Sequence, residues 1–236
     1  MDITRLRKDL QKLADPKKAK VLSGFFKTAK DQYGEGDVFL GITVPDQRGI
    51  ARKYANLHLR DLQELLLSRI HEHRLVALLI LINKFKRADD RVKEKICAFY
   101  LKNTKQINNW DLVDLSAYNI LGSYLRDRER SILQRLAKSE NLWERRIAIM
   151  STFAFIKEHW FEDTLQLAEG FLNDKHDLIH KAVGWMLREI GKRNQEVEEQ
   201  FLKKYHQIMP RTMLRYAIER FDEAKRSAYL QRIKKV

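Results

Sequence analysis

At 236 residues and 44% hydrophobic content, the chain can bury a large core, in one extended domain or two small ones. Lys and Arg outnumber Asp and Glu by 46 to 32. The resulting net charge of +14 draws polyanions and favours nucleic acid over a membrane surface as partner, with a merely solvated basic surface as the bland alternative. The single cysteine excludes an internal disulfide and any cysteine-pair zinc site, and the longest apolar run, residues 75–82, is too short to span a bilayer; with no secretory leader pattern at the start, these features point to a soluble, cytoplasmic protein.

Ile3, Leu6, Leu10 and Leu13 are spaced as one face of an amphipathic helix over residues 2–14. Asp15-Pro16 then opens a second helix, Asp as N-cap and Pro at the first helical position, running through Val21, Leu22, Phe25 and Phe26. A Gly-rich connection, Tyr33 to Pro45, follows, and Asp46 is the expected cap of the next helix. Helices with short joints are predicted from there, over 46–57, 59–70, 72–87, 89–102, 107–125, 127–138, 142–159, 162–172, 177–192, 194–207, 211–221 and 223–233. Only Val38-Phe39-Leu40 hints at a strand, and Cys97 reads as a buried thiol on an apolar helix face.

The helices recur at a fixed spacing. Arg74, Trp110, Arg146, Lys181 and Arg215 follow one another at intervals of 36, 36, 35 and 34 residues, each near the start of the second helix of a pair. This period predicts an all-α fold, a curved solenoid of stacked antiparallel helical pairs of the HEAT kind, forming a single domain over residues 1–236. In such a stack the five residues line one concave wall, and a row of cations one repeat apart suits a phosphate backbone.

One helical turn beyond that slot lie Asp114 and Trp185. Trp110 and Asp114, at i and i+4, place an aromatic ring and a carboxylate on one helix face. Trp110 has polar neighbours, Asn108, Asn109 and Asp111, and is expected to line a site rather than the core; Trp143 is expected in the core. Gly184, just before Trp185, leaves room for close approach of a partner. His71 and His73 face apart on a helix, and His176 and His180 have no evident third ligand, so no metal is expected. Phosphate-loop, dinucleotide-fold and nucleophile-elbow motifs are missing, so no cofactor is expected either.

Four segments in order resemble the AlkD family of bacterial DNA glycosylases: residues 39–48 (FLGITVPDQR), 110–114 (WDLVD), 141–148 (NLWERRIA) and 181–189 (KAVGWMLRE). The resemblance implies a helical-repeat enzyme that removes alkylated bases from double-stranded DNA; an open-ended solenoid of this kind is expected to act alone, as a monomer. It implies that Asp114 is the catalytic carboxylate, that Trp110 and Trp185 flank the deoxyribose of the lesion, that Arg146 holds a nearby phosphate, and that Arg48, Lys181 and Arg188 contact the backbone. One departure is visible, since Phe25 stands where the best-known members carry a DNA-contacting Tyr. Relatives of the same fold that lack the Trp and Asp pair bind DNA without excising bases. The alternative reading is therefore a non-catalytic binder of damaged or branched DNA, and a protein–protein scaffold is a third.

Overall fold

The computed structural model describes residues 2–231, which are helical apart from their connections; among them the sole β pairing is one parallel bridge between Val38 and Ile70. The chain gathers into two compact units, the first ending at Ser116 and the second beginning at Ala117. Among the described residues no helix is long and apolar enough to cross a membrane.

The first unit contains α1 (Ile3–Lys12), α2 (Pro16–Phe25), α3 (Val44–Lys53), α4 (Leu59–Leu66), α5 (His71–Arg87), α6 (Asp90–Lys102) and α7 (Trp110–Ser116). Asp15 caps α2 as its sequence implies, accepting from the amides of Lys17 at 3.0 Å and Lys18 at 3.1 Å. The start of α3 differs from expectation. Thr43 is the cap, with Pro45 in the first turn, and Asp46 instead accepts a 2.5 Å hydrogen bond from the Thr43 hydroxyl.

Helix α5 is the axis of this unit. Every residue from His71 to Ile82 is buried, which is why its stretch from Leu75 to Ile82 is apolar all round rather than along one stripe. Helices α3, α4, α6 and α7 pack against it. The Gly-rich connection is tied to its first turn: the buried Glu72 carboxylate accepts from the amides of Leu40, Gly41 and Ile42 at 2.9, 2.8 and 3.3 Å. Gly41 makes this possible, because its φ is +84° and a Cβ there would lie 2.2 Å from the Asp15 carbonyl oxygen.

The predicted helix over 107–125 is not continuous. Helix α7 ends at Ser116, whose hydroxyl donates back to the Leu112 carbonyl at 2.5 Å, and a π-helical turn, Tyr118–Gly122, begins the second unit.

The second unit continues with α8 (Ser131–Ala137), α9 (Leu142–Ser151), α10 (Phe153–Ile156), α11 (Glu162–Gly170), α12 (Asp177–Gly191), α13 (Gln195–Tyr205), α14 (Arg211–Ala217) and α15 (Glu223–Leu230). The predicted helix over 142–159 is broken at Thr152, where the Ser151 and Thr152 hydroxyls donate back to the Ile147 and Ile149 carbonyls at 2.7 Å each. The expected last helix stops at Leu230; residues 232 and 233, also assigned to it, lie outside the described residues.

Helix α12 is the centre of this unit, packed by α9, α11, α13 and α14. Gly184 lets α14 approach: a Cβ there would lie 2.4 Å from the Met213 carbonyl oxygen and 2.5 Å from Tyr216 Cβ. The room expected for an outside partner is thus filled from within the unit. Trp143 and Cys97 are buried, as expected. The repeat spacing has a structural counterpart at four of its five slots: Arg74 is the fourth residue of α5, and Arg146, Lys181 and Arg215 are each the fifth residue of α9, α12 and α14, whereas Trp110 is the first residue of α7.

Candidate functional site

The residues that carry the sequence argument begin at α7. Its first turn is pinned from two sides. The Asn109 carboxamide accepts from the Trp110 amide at 2.8 Å, while its nitrogen lies 3.5 Å from the Asp37 carboxylate. Asp111 bonds His71 Nε2 at 2.8 Å. The Trp110 ring is stacked on Phe26 (centroids 5.1 Å apart, planes at 19°) and meets the edge of Phe25 at 5.8 Å. Phe26 stacks in turn on Phe39 at 5.0 Å, and Phe39 on His71 at 4.5 Å. Each such pair contributes roughly 0.5–1.5 kcal/mol beyond area burial, and three in series orient the indole. Trp110 remains half-exposed, and Phe25 beside it is 62% exposed. Asp114, one turn along α7 on the Trp110 face, is also half-exposed. The fully buried Tyr100 lies within reach of its charge: burial pushes the phenol pKa up, Asp114 adds to that, and a hydrogen bond with Ser116 opposes it.

Beneath this face lies an ionic group that the sequence reading missed. His71, 2% exposed, has both ring nitrogens on carboxylates, Nδ1 with Asp37 at 3.0 Å and Nε2 with Asp111 at 2.8 Å. Asp37 also takes the Arg74 guanidinium at 2.6 Å. Burial alone would lower the His71 pKa, but Asp111 and then Asp37 outweigh it and raise it to about 9, so the ring is an imidazolium at neutral pH. Burial likewise works to raise the Asp37 pKa, and the His71 hydrogen bond and Arg74 charge outweigh that and hold it low. The sequence does carry a signal here: four polar residues, His71-Glu72-His73-Arg74, open a helix that is otherwise apolar, and each must find a partner once covered. His73 finds the Ser68 hydroxyl at 3.0 Å, and burial lowers its pKa to about 4.

The expected row of cations is only partly open. Arg74 is 3% exposed and bound to Asp37, and Arg146 is 4% exposed and donates to the Leu178 carbonyl. Both therefore brace their own units instead of presenting free charge. Arg48, on α3, and Arg215, on α14, are exposed. Lys181 is half-exposed and pairs with Asp177 at 2.7 Å, and Arg188 pairs with Glu219. Trp185, on α12, is half-exposed with its indole N–H on Glu189 at 3.3 Å. His176 and His180 serve the start of α12, His176 Nδ1 accepting from the Leu178 amide and His180 bonding the Asp174 carbonyl.

The described residues form an all-helical fold of helical pairs, with a Trp and an Asp on one anchored helix face in a strongly basic chain. The family is explicit in the sequence: a family model described as DNA alkylation repair enzyme matches residues 6–221, and the chain belongs to that family. Among solved structures it is similar to a predicted DNA alkylation repair enzyme from Enterococcus faecalis (TM-score 0.68, 18% identity, covering 89% of this chain and 97% of that one). It is also similar to AlkD2 from Streptococcus mutans (TM-score 0.55, 16% identity, 86% and 97% covered). At these identities the likeness concerns the fold. A search of the curated proteins returns no match.

Proposed function

We propose that the protein is a monofunctional DNA glycosylase that hydrolyses the N-glycosidic bond of cationic alkylated purines, N3-methyladenine and N7-methylguanine, in duplex DNA, for base-excision repair. The observation that carries this reading is the half-exposed Asp114 carboxylate one turn from Trp110 on a helix face clamped by His71. Alkylation places a positive charge on the base, so the base leaves with the bonding electron pair as a neutral species and needs no general acid. Positive charge then builds on the sugar, as in other glycosyl transfers. The Asp114 carboxylate stabilises that charge where it develops and orients the water whose oxygen bonds C1′ and whose proton is released. The indole of Trp110 adds attraction for a cationic sugar, and Trp185 serves as a second aromatic contact to the DNA.

Arg48, Lys181 and Arg188 contact phosphates in this reading, Lys181 and Arg188 exchanging their carboxylate partners for DNA. Arg146 joins them only by leaving the Leu178 carbonyl. The exposed Phe25 offers an apolar contact beside Trp110 in place of a tyrosine hydroxyl. The test is release of methylpurine from methylated duplex DNA. Asp114→Asn is expected to slow release by about 10²- to 10³-fold while leaving binding to the same DNA nearly unchanged. Tight binding by the wild-type protein with no release would sink the enzymatic reading in favour of a non-catalytic DNA binder.

A further inference from the structure

We propose that the first unit carries a second binding site, separate from the Trp110–Asp114 face, that takes a phosphorylated nucleoside. A recess of about 520 Å³ lies between the turn joining α3 to α4, the C-terminal end of α5 and the N-terminal half of α6. That size falls within the usual range for small-molecule sites. It sits at the far end of α5 from His71, and the 17 residues from His71 to Arg87 span about 24 Å of helix, at roughly 1.5 Å per step.

The chemistry of the lining is specific. Lys84 and Arg87 from α5 and Lys95 from α6 converge on the recess, and among the described residues none of the three forms an ion pair. Some cations of the chain find acids, such as Lys53 with Asp9 at 2.5 Å and Arg145 with Asp174 at 2.7 Å, whereas here Lys84 is half-buried and Arg87 and Lys95 stand exposed at the rim. The one acid in the lining, Asp89, is engaged in capping α6, accepting from the Val92 amide at 2.8 Å. Partial burial lowers the Lys84 pKa, as expected of an ammonium that has lost water and gained no counter-charge. Cations in the last turn of a helix also suit its negative pole, which accounts for Lys84 and Arg87. It does not account for Lys95, in the middle of α6, nor for the recess itself.

The remaining walls fit a base. Leu59 and Val92 give an apolar surface backed by the buried Ile96, and Val92 is 42% exposed within it. Asn56 and Asn83 supply carboxamides that can donate to and accept from a base edge. An apolar surface with amides beside three uncompensated cations matches a base joined to a phosphate, whether on a free nucleotide or at the phosphorylated end of a strand.

The experiment uses the full chain and titrates AMP, adenosine, a short 5′-phosphorylated single strand and its 5′-hydroxyl twin. Wild type is compared with Lys84→Gln/Arg87→Gln and with Lys138→Gln/Lys175→Gln, a pair that removes the same charge elsewhere. A phosphorylated ligand is expected to bind wild type about tenfold or more tightly than its phosphate-free counterpart, the first double variant losing the preference and the second keeping it. Preference for AMP identifies a free nucleotide, and preference for the phosphorylated strand alone identifies a strand end. The proposal is overturned if neither phosphate improves binding, or if both double variants weaken it equally, which would be the overall field of the chain acting. Base release from methylated duplex is expected to be the same in the Lys84/Arg87 variant as in wild type, so this result and that of Asp114→Asn are independent.

Discussion

The two long central helices, α5 in the first unit and α12 in the second, treat the charges at their starts in opposite ways. Helix α5 buries His71, Glu72, His73 and Arg74 and gives each a partner from another segment. Helix α12 leaves Asp177 exposed and Lys181 half-exposed, paired with each other at i,i+4 on the surface. A buried ionic group is costly to form and more costly to half-remove, whereas a solvated pair contributes little. The first arrangement therefore acts as a structural anchor for the α7 face, and the second leaves a cation available for exchange onto a phosphate.

That contrast can be broken most sharply at His71. His71→Ala leaves the buried Asp37 and the half-buried Asp111 without their shared cation and is expected to destabilise the protein by about 3–5 kcal/mol, read from denaturant midpoints. It should also slow base release, since Asp111 no longer ties the first turn of α7. A loss below about 1 kcal/mol would show that the cluster is not the anchor.

The pH dependence of stability is the next largest effect. The His71 pKa is raised to about 9 from 6.5, so its contribution is complete below 6.5 and is lost as pH rises through 9, about 3 kcal/mol in all. The opposite sign holds for Asp37, whose lowered pKa adds stability above its ordinary value near 3.8 that is lost on acidification. The second unit has its own group: burial, and then the neighbouring Glu199 charge, raise the Glu198 pKa to about 8, so its contribution also falls, between 4.5 and 8. Stability measured from pH 5 to 10 should thus fall from the start, most steeply between 6.5 and 8 where both groups contribute, with His71→Gln removing the fall above 8 and Glu198→Gln the fall below 6.5.

A smaller effect is expected at Gly184. An added methyl meets backbone of α14 that cannot rotate away, and Gly184→Ala should cost about 1–3 kcal/mol. The smallest is Lys181→Ala, expected to leave stability within about 0.5 kcal/mol, weaken binding to all duplexes alike and reduce the salt slope by about one. Equal destabilisation by His71→Ala and Lys181→Ala would erase the distinction between the two helices.

How much of this could be read beforehand follows the same physics. Asp15-Pro16 announced a helix start because the capping chemistry is local, and Trp110 and Asp114 announced a shared face because helical period alone puts them there. Thr43 displaced Asp46 as a cap because Pro45 and the Glu72-bound loop set where α3 can begin. The break after Ser116 was illegible, since its hydroxyl competes for a backbone carbonyl only once packed beside Tyr100. His71 looked like an isolated histidine because its partners lie 34 residues before it and 40 after it.

The sequence by itself determined that the chain is helical, that its second helices recur every 34–36 residues, that it is basic, and that it carries the segments of the DNA alkylation repair family. The tertiary structure alone decided which charges at the recurring slot are interior, as at Arg74 and Arg146, and which face water, as at Arg215. Periodicity says on which side of a helix a residue lies. Whether that side is wet depends on what another segment lays over it, and a polar group so covered has to be matched by partners distant in the chain.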